Sequence, residues 1–147
     1  MKKTTAICVA IVAAVATMAG GALDIASAEE IYVFANKSVP DNALSQAELK
    51  NIFLGKKVRW TDNQRVDCVM LKDSTCQESF LNQHIRKTSF QFNNYWKKQI
   101  FTGKGQPPQT FDSEQALVDY VSQTSGAIGF SCSRPSAAGV KVVSISQ

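Results

Sequence analysis

One stretch of the sequence constrains the fold more than any other, the apolar run from Val66 to Leu71. Its residues, VDCVML, are apolar at nearly every position instead of at every second one. A strand with one face in water alternates apolar and polar residues, whereas a strand covered on both faces is apolar throughout. Covered strands are typical of parallel sheets, so the run predicts an α/β protein with helices on both sides of its sheet.

The order of the other segments agrees with a parallel sheet, because helices separate most of the strands. Strands are predicted at 31–35, 66–71, 127–131 and 140–145, and helices within 44–60 and at 75–87, 89–101 and 112–124. The segment 103–110, GKGQPPQT, contains two glycines and two prolines and is predicted to be a loop without regular structure. The expected fold is a single three-layer lobe with a mainly parallel sheet.

The helix within 44–60 has both of its ends marked in the sequence. Ser45 and Glu48 have the spacing of a capping box, in which each side chain bonds the backbone N–H group of the other residue. Gly55 supplies the left-handed position that commonly ends a helix. One face of the helix is apolar and is expected to point to the core: Leu49, Ile52 and Phe53.

The same segment resembles a signature of a known family. Residues Leu44-Ser45, Leu49, Ile52-Phe53, Gly55 and Trp60 are similar to the LS…L..IF.GK…W pattern of phosphate-type substrate-binding proteins of ABC uptake systems. A second motif of that family, GAIGY/F, matches Gly126 to Phe130. The resemblance covers roughly Ile31 to Phe130 and implies one lobe of a type 2 periplasmic-binding-protein-like fold, over residues 29–147. It also implies phosphate or another small oxyanion as ligand and an ABC permease as partner. A full binder of this family closes two lobes around its ligand.

The first 28 residues are expected to be a signal peptide. Lys2 and Lys3 form a basic start, 6–20 is an apolar segment, and Ala26-Ser27-Ala28 is a cleavage site of the A-x-A type. The apolar segment is too short and too rich in alanine for a membrane span. Cleavage after Ala28 leaves 119 residues, which suit one domain. The mature protein is therefore expected in a bacterial periplasm or outside the cell, with no stable membrane span.

The charge of the mature chain argues against a nucleic-acid partner. Residues 29–147 carry a net charge of +3, since the signal segment removes two lysines and one aspartate from a chain of net charge +4. This excess is spread along the sequence and forms no dense basic stripe of the kind that binds nucleic acid. It is compatible with a small anion.

Three cysteines follow the signal peptide, Cys68, Cys76 and Cys132, and an oxidising compartment favours one disulfide. Cys76 and Cys132 each follow a predicted strand. If these strands are parallel, both cysteines lie at the same edge of the sheet, which favours a Cys76–Cys132 disulfide with Cys68 as a buried free thiol. A Cys68–Cys132 disulfide stays open as an alternative, because spacing alone does not fix the pairing. No cysteine pair has metal-ligand spacing and there is one histidine, so neither a metal nor a cofactor is expected.

The candidate ligand site is the turn after the second predicted strand, composed of Lys72, Asp73, Ser74 and Thr75. Open α/β sheets bind their ligands at the carboxyl ends of the strands. The unpaired amides of the following helix, two hydroxyls and the lysine charge are expected to form a cradle for an oxyanion. The alternative is structural, with Thr75 as the cap of the helix and Ser74 as a loop residue.

The resemblance selects the same turn, because phosphate-type binding proteins carry an R-x-D/E-x-S-G-T loop at this strand end. The four residues of the turn stand near those positions, but the glycine is absent and Lys72 replaces the arginine. This difference keeps a second hypothesis open. The lobe would then bind no ligand and would serve as an interaction or structural protein of the cell envelope, through a partner or as a homodimer.

No pattern in the sequence predicts catalysis. No serine or cysteine has a recognisable base partner, and the carboxylates show no paired arrangement. His84 lies on the inner edge of a predicted helix, where a half-buried packing role is expected. The sequence is therefore interpreted as that of a binding or interaction protein and not of an enzyme.

Overall fold

The computed structural model describes residues 29–72 and 74–147 of the chain. The predicted signal peptide and Asp73 lie outside the described residues, so the signal peptide stays a prediction. Within the two described ranges, no helix combines the length and the apolar character that crossing a membrane requires.

Seven strands and four α-helices form the described part of the chain. The strands are β1 (Tyr32–Asn36), β2 (Ala43–Ser45), β3 (Asp67–Leu71), β4 (Gln109–Phe111), β5 (Ala127–Ser131), β6 (Val140–Val142) and β7 (Ser144–Ser146). The helices are α1 (Gln46–Phe53), α2 (Thr75–Phe80), α3 (Ser89–Phe101) and α4 (Glu114–Gln123), and a π-helical turn, Leu81–Ile85, continues α2.

The main sheet has five strands in the order β4-β3-β5-β1-β6. β3 is parallel to β4 and to β5, whereas β1 is antiparallel to both of its neighbours, β5 and β6. Four of these strands therefore point the same way and β1 is reversed, which confirms the predicted mainly parallel sheet. The reversal of β1 was not predicted, because its residues indicate a strand without indicating its direction. A second, smaller sheet pairs β2 with β7 in parallel.

Helices cover both faces of the main sheet, as two neighbouring residues of β5 show. Gly129 faces α4, because a Cβ atom added there would lie 2.6 Å from Leu117 Cδ2. Phe130 points to the other face, where its ring stacks on Phe80 of α2 with the ring centroids 3.9 Å apart. Phe53 of α1 packs edge-on against both rings. The predicted three-layer α/β lobe is thus confirmed.

The ends of α1 agree with the sequence. Ser45 Oγ accepts the Glu48 N–H at 3.2 Å, and the Glu48 carboxylate accepts the Ser45 N–H at 3.0 Å, which together form the predicted capping box. Gly55 follows the last turn with a φ of +69°. The predicted inner face is buried at Leu49, Ile52 and Phe53. The helix starts only at Gln46, because the two residues before it pair with β7 as part of β2.

Other boundaries differ from the prediction. Ser74 caps α2 in place of Thr75, and α3 is capped by Thr88, directly before the predicted start of the helix. In both places two adjacent residues carry hydroxyls, so the local pattern is ambiguous by one position. Residues 109–110, predicted to lack regular structure, belong to β4, which forms through pairing with β3. The predicted last strand is two short strands, β6 and β7, which pair with different partners.

The favoured disulfide between Cys76 and Cys132 is confirmed, with Cα atoms 5.8 Å apart. It joins the first turn of α2 to the residue that follows β5. Cys68 is free and half-buried, with its Sγ 3.8 Å from the Ile52 carbonyl oxygen. Burial raises the pKa of Cys68 to about 12, which keeps the thiol protonated and poorly reactive.

Candidate ligand site

The carboxyl ends of β3, β4 and β5 meet at one edge of the main sheet, which we name the carboxyl edge. β3 and β4 end in register, with Leu71 opposite Phe111. β1 begins at this edge, because it is antiparallel to β5 and pairs Tyr32 with Ser131. The turn that follows Leu71 and the segment 29–31 therefore lie at the same edge.

Lys72 is the first residue of the turn, and its side chain is exposed. Its backbone N–H donates to the Phe111 carbonyl at 2.9 Å, so this amide is used in the pairing of β3 with β4. The ammonium group forms no ion pair with any residue that the structure describes. An exposed lysine of this kind supplies charge to an anion but no fixed geometry.

Ser74 and Thr75 have different roles. Ser74 Oγ accepts the Gln77 N–H at 3.0 Å, and the Ser74 carbonyl accepts the Glu78 N–H at 3.1 Å, so Ser74 is the cap of α2. The structural alternative is therefore right that a hydroxyl of the turn caps the helix and wrong about the residue, since the cap is Ser74 and not Thr75. The Thr75 side chain is exposed at the start of the helix. Lys72 and Thr75 therefore both have exposed side chains with hydrogen-bond donors at the turn.

Among the carboxylates at the carboxyl edge are those of Glu114 and Glu29, which were not predicted to lie near the turn. Glu114, the first residue of α4, accepts the Cys132 N–H at 3.0 Å. Its carboxylate lies within 4.8 Å of both sulfur atoms of the disulfide, beside the start of α2. Glu29 accepts a hydrogen bond from Ser79 Oγ at 3.3 Å. These negative charges oppose the binding of an anion at the turn.

Within the described ranges, one cluster brings together three side chains of the types that bind metals: Cys76, Glu114 and Cys132. Both sulfur atoms belong to the disulfide, so neither offers the thiolate that binds a metal. The cluster is therefore a disulfide with a carboxylate beside it.

Solved structures of phosphate-type binding proteins have a similar fold. A phosphate transport receptor of the ABC type from Vibrio cholerae superposes with a TM-score of 0.54 at 15% identity, over 78% of this chain and 45% of that one. A protein from Clostridium perfringens, described as a phosphate ABC transporter substrate-binding protein with bound phosphate, gives a TM-score of 0.60 at 16% identity, over 78% and 44%. PstS from Borrelia burgdorferi gives a TM-score of 0.57 at 12% identity, over 78% of this chain and 46% of that one.

The chain has the fold of about half of a phosphate-type substrate-binding protein. This confirms, at the level of the fold, the resemblance found in the sequence; no protein-family model and no curated protein matches the chain.

Glu114 was missed because β4 was not predicted. α4 begins almost directly after β4, and the parallel pairing of β4 with β3 brings the first turn of α4 to the carboxyl edge. Ser113 caps α4, since its Oγ accepts the Ala116 N–H at 3.1 Å, and Glu114 follows it in the first turn. The three residues of β4 are too few to show the alternation that indicates a strand.

His84 has the packing role that the sequence indicated. Its ring is half-buried and lies 5.5 Å from the Phe80 ring, centroid to centroid. Burial lowers its pKa, and the neighbouring Arg86 lowers it further, so the imidazole is neutral near pH 7.

Proposed function

We propose that the protein is an exported binding module that takes phosphate or another small oxyanion at the turn Lys72, Asp73, Ser74 and Thr75, with an ABC permease as its partner. The observation that carries this proposal is the exposure of Lys72 and Thr75 at the carboxyl edge of a phosphate-type fold. The descriptions of the similar solved structures are of transport receptors and binding proteins, which supports a binding role in preference to catalysis.

The start of α2 supplies further donors to the proposed site. The first N–H groups of a helix have no partner within the helix, and they favour negative charge. The cap uses the N–H of Gln77, which leaves the N–H groups of Thr75 and Cys76 for an anion. Together with the Lys72 charge and the Thr75 hydroxyl, these groups are the donors of the proposed site.

We expect the affinity to be low. The chain spans less than half the length of the similar solved structures, and the exposed turn is open to water. Glu114 adds a repulsive charge beside the start of α2. A dissociation constant of about 1 mM, roughly −4 kcal/mol of binding free energy, is the scale we expect for such an open site.

The second candidate is an interaction or structural protein of the cell envelope that uses the lobe without a ligand. The charge of Glu114 favours this candidate, because it opposes anion binding, and the surface of α3 favours it as well. Phe90 is 74% exposed and Phe101 is 93% exposed, and eleven residues along a helix place them on the same face of α3. Exposed aromatic residues on one helix face are typical of a contact with a partner or with a second copy.

Calorimetric titration with inorganic phosphate separates the two candidates. We expect saturable heat from the purified protein, a several-fold weaker response in Lys72→Ala and a stronger one in Glu114→Gln, which removes the repulsive charge. Lys97→Ala is the matched control, because it removes an exposed lysine of α3 and is expected to leave binding unchanged.

A titration to about 10 mM phosphate without saturable heat would refute the oxyanion proposal, since that concentration exceeds the expected dissociation constant roughly tenfold. In that case a dimer detected by sedimentation, and lost in Phe90→Ala and Phe101→Ala, would support the second candidate.

A further inference from the structure

A half-open cavity of about 490 Å³ lies at the opposite edge of the main sheet, where β3 begins. We name this edge the amino edge. The walls come from the end of α1, the segment 57–66, α3 and the loop 104–106. The volume falls in the range of about 300–1,000 Å³ that is usual for small-molecule sites. The cavity is distinct from the turn at Lys72, which follows the other end of β3.

Two arginines stand directly opposite each other on one wall. Arg59 and Arg65 form an antiparallel bridge, flanked by bonds from the Trp60 N–H to the Gln64 carbonyl and from the Val66 N–H to the Val58 carbonyl. This pattern makes Arg59 and Arg65 a non-hydrogen-bonded pair, the kind in which side chains come closest and share one face. Like charges in this position are destabilising, and an anion bound between the two guanidinium groups would offset the repulsion.

Other charges on the walls have the same sign. Lys57 and Lys104 also line the cavity, and no carboxylate does so in the part of the chain that the structure describes. Lys57 is paired with Glu48 at 2.9 Å, whereas Arg59 is held by a hydrogen bond from its Nη1 to the Asn63 carbonyl. Guanidinium groups bind phosphate and carboxylate oxygens through two parallel N–H bonds. The wall therefore suits an anion with at least two oxygens.

The rest of the lining is partly apolar, with Ile52, Val58 and Val66 among its residues. The Trp96 side chain lines the cavity and is only 5% exposed. The ring lies close to the backbone at two glycines, since an added Cβ would meet Trp96 at 2.7 Å from Gly55 and at 3.5 Å from Gly105. Its buried Nε1 has no hydrogen-bond partner within the described residues. Most of the ring is therefore covered by the protein, and the apolar lining beside the basic wall suits a ligand that combines an apolar body with an anionic group.

We propose that the amino-edge cavity binds an organic dianion with an aromatic or other apolar body, its phosphate or carboxylate oxygens between Arg59 and Arg65 and its body against the apolar part of the lining. This site takes a larger ligand than inorganic phosphate and does not depend on the turn at Lys72.

Calorimetric titration of the full chain with phenyl phosphate and with phthalate tests the proposal, the two probes distinguishing phosphate from carboxylate sources. We expect saturable binding of at least one probe. We expect the Arg59→Gln/Arg65→Gln double variant to bind it at least tenfold more weakly, which is about 1.4 kcal/mol. The control Lys97→Gln/Lys98→Gln removes two exposed cations of α3 and equals the double variant in net charge. It should bind like the unchanged protein. Quenching of tryptophan fluorescence by the probe, lost with the double variant, is a second readout.

The proposal is overturned if neither probe binds, or if the arginine variant and the lysine control lose affinity equally, since equal losses would indicate only a long-range effect of net charge. A loss in Lys72→Ala but not in the arginine variant would also overturn it, and would assign the binding to the turn at the carboxyl edge instead. Circular dichroism of each variant confirms that it is folded.

Discussion

Removing the Cys76–Cys132 disulfide is expected to be the most costly change at the carboxyl edge. The bond links residues 56 positions apart, and it fastens the start of α2, next to the turn at Lys72, to the end of β5. We consider the double variant Cys76→Ala/Cys132→Ala, which removes the link and introduces no new polar group into a buried position.

The size of the effect follows from the length of the closed loop. A cross-link restricts the unfolded chain, and the loop-entropy relation gives about 4 kcal/mol at 25 °C for a loop of this length. A domain of this size has a total unfolding free energy of about 5–15 kcal/mol. The bond therefore supplies a large share of the stability, and the double variant is expected to unfold at a much lower urea concentration.

Urea unfolding followed by circular dichroism measures the loss. Cys68→Ala is the control, because Cys68 is half-buried and forms no disulfide; it is expected to cost about 1 kcal/mol or less. The reasoning is refuted if the double variant loses no more than this control does. Alkylation of the unfolded, unreduced protein provides an independent check, since only the Cys68 peptide should be modified within residues 29–147.

Two further predictions concern stability. A Cβ added at Gly126, where φ is +77°, would lie 2.3 Å from the Arg65 carbonyl oxygen, whereas one at Gly103, with φ +67°, would meet nothing within 4 Å. Gly103→Ala should therefore cost only the left-handed backbone penalty of about 1 kcal/mol, and Gly126→Ala clearly more in the same urea assay; equal losses would refute the clash. The pKa of the Glu48 carboxyl is lowered from 4.5 to about 2, chiefly by the hydrogen bond from Lys57. Its stabilisation is present above pH 4.5 and is lost as the pH falls from there to about 2. Because the Glu48 side chain is 46% exposed, we expect this stabilisation to be less than about 1 kcal/mol. Glu48→Gln should therefore make the melting temperature depend less steeply on pH over that range, and an unchanged slope would contradict this.

The layered core could be predicted from the sequence because its determinants are local. The continuous apolar run of β3 indicated a strand covered on both faces, and the structure places α4 on one face of the sheet and α1 with α2 on the other. The start of α1 was equally local, since both partners of its capping box lie within four residues. The Cys76–Cys132 pairing could be favoured once the strands that correspond to β3 and β5 were assumed to be parallel.

The missed features depend on contacts between distant parts of the chain. β4 has only three residues, and its hydrogen bonds go to β3, about forty positions earlier. β2 exists only through pairing with β7 near the C-terminus. Glu114 lies at the carboxyl edge because it follows β4, which pairs with β3. The position of its charge could therefore not be predicted without that strand pairing. The Arg59–Arg65 pair likewise becomes visible only in the hairpin that carries it.

Charge distinguishes the two edges of the main sheet. At the carboxyl edge, Lys72 is accompanied by the carboxylates of Glu29 and Glu114. The amino-edge cavity has four cations, one of them paired with Glu48, and no carboxylate among its described lining residues. A single exposed ion pair at about 4 Å gives only roughly 1 kcal/mol in water. An anion that is not enclosed therefore needs several cations on the same surface, or burial against a ring, to bind at low concentration. The amino-edge cavity offers several cations beside an apolar lining, so we expect an aromatic dianion there to bind more tightly than inorganic phosphate at the turn. The reverse order of affinities would show that the donors at the start of α2 outweigh the charge of the arginine pair.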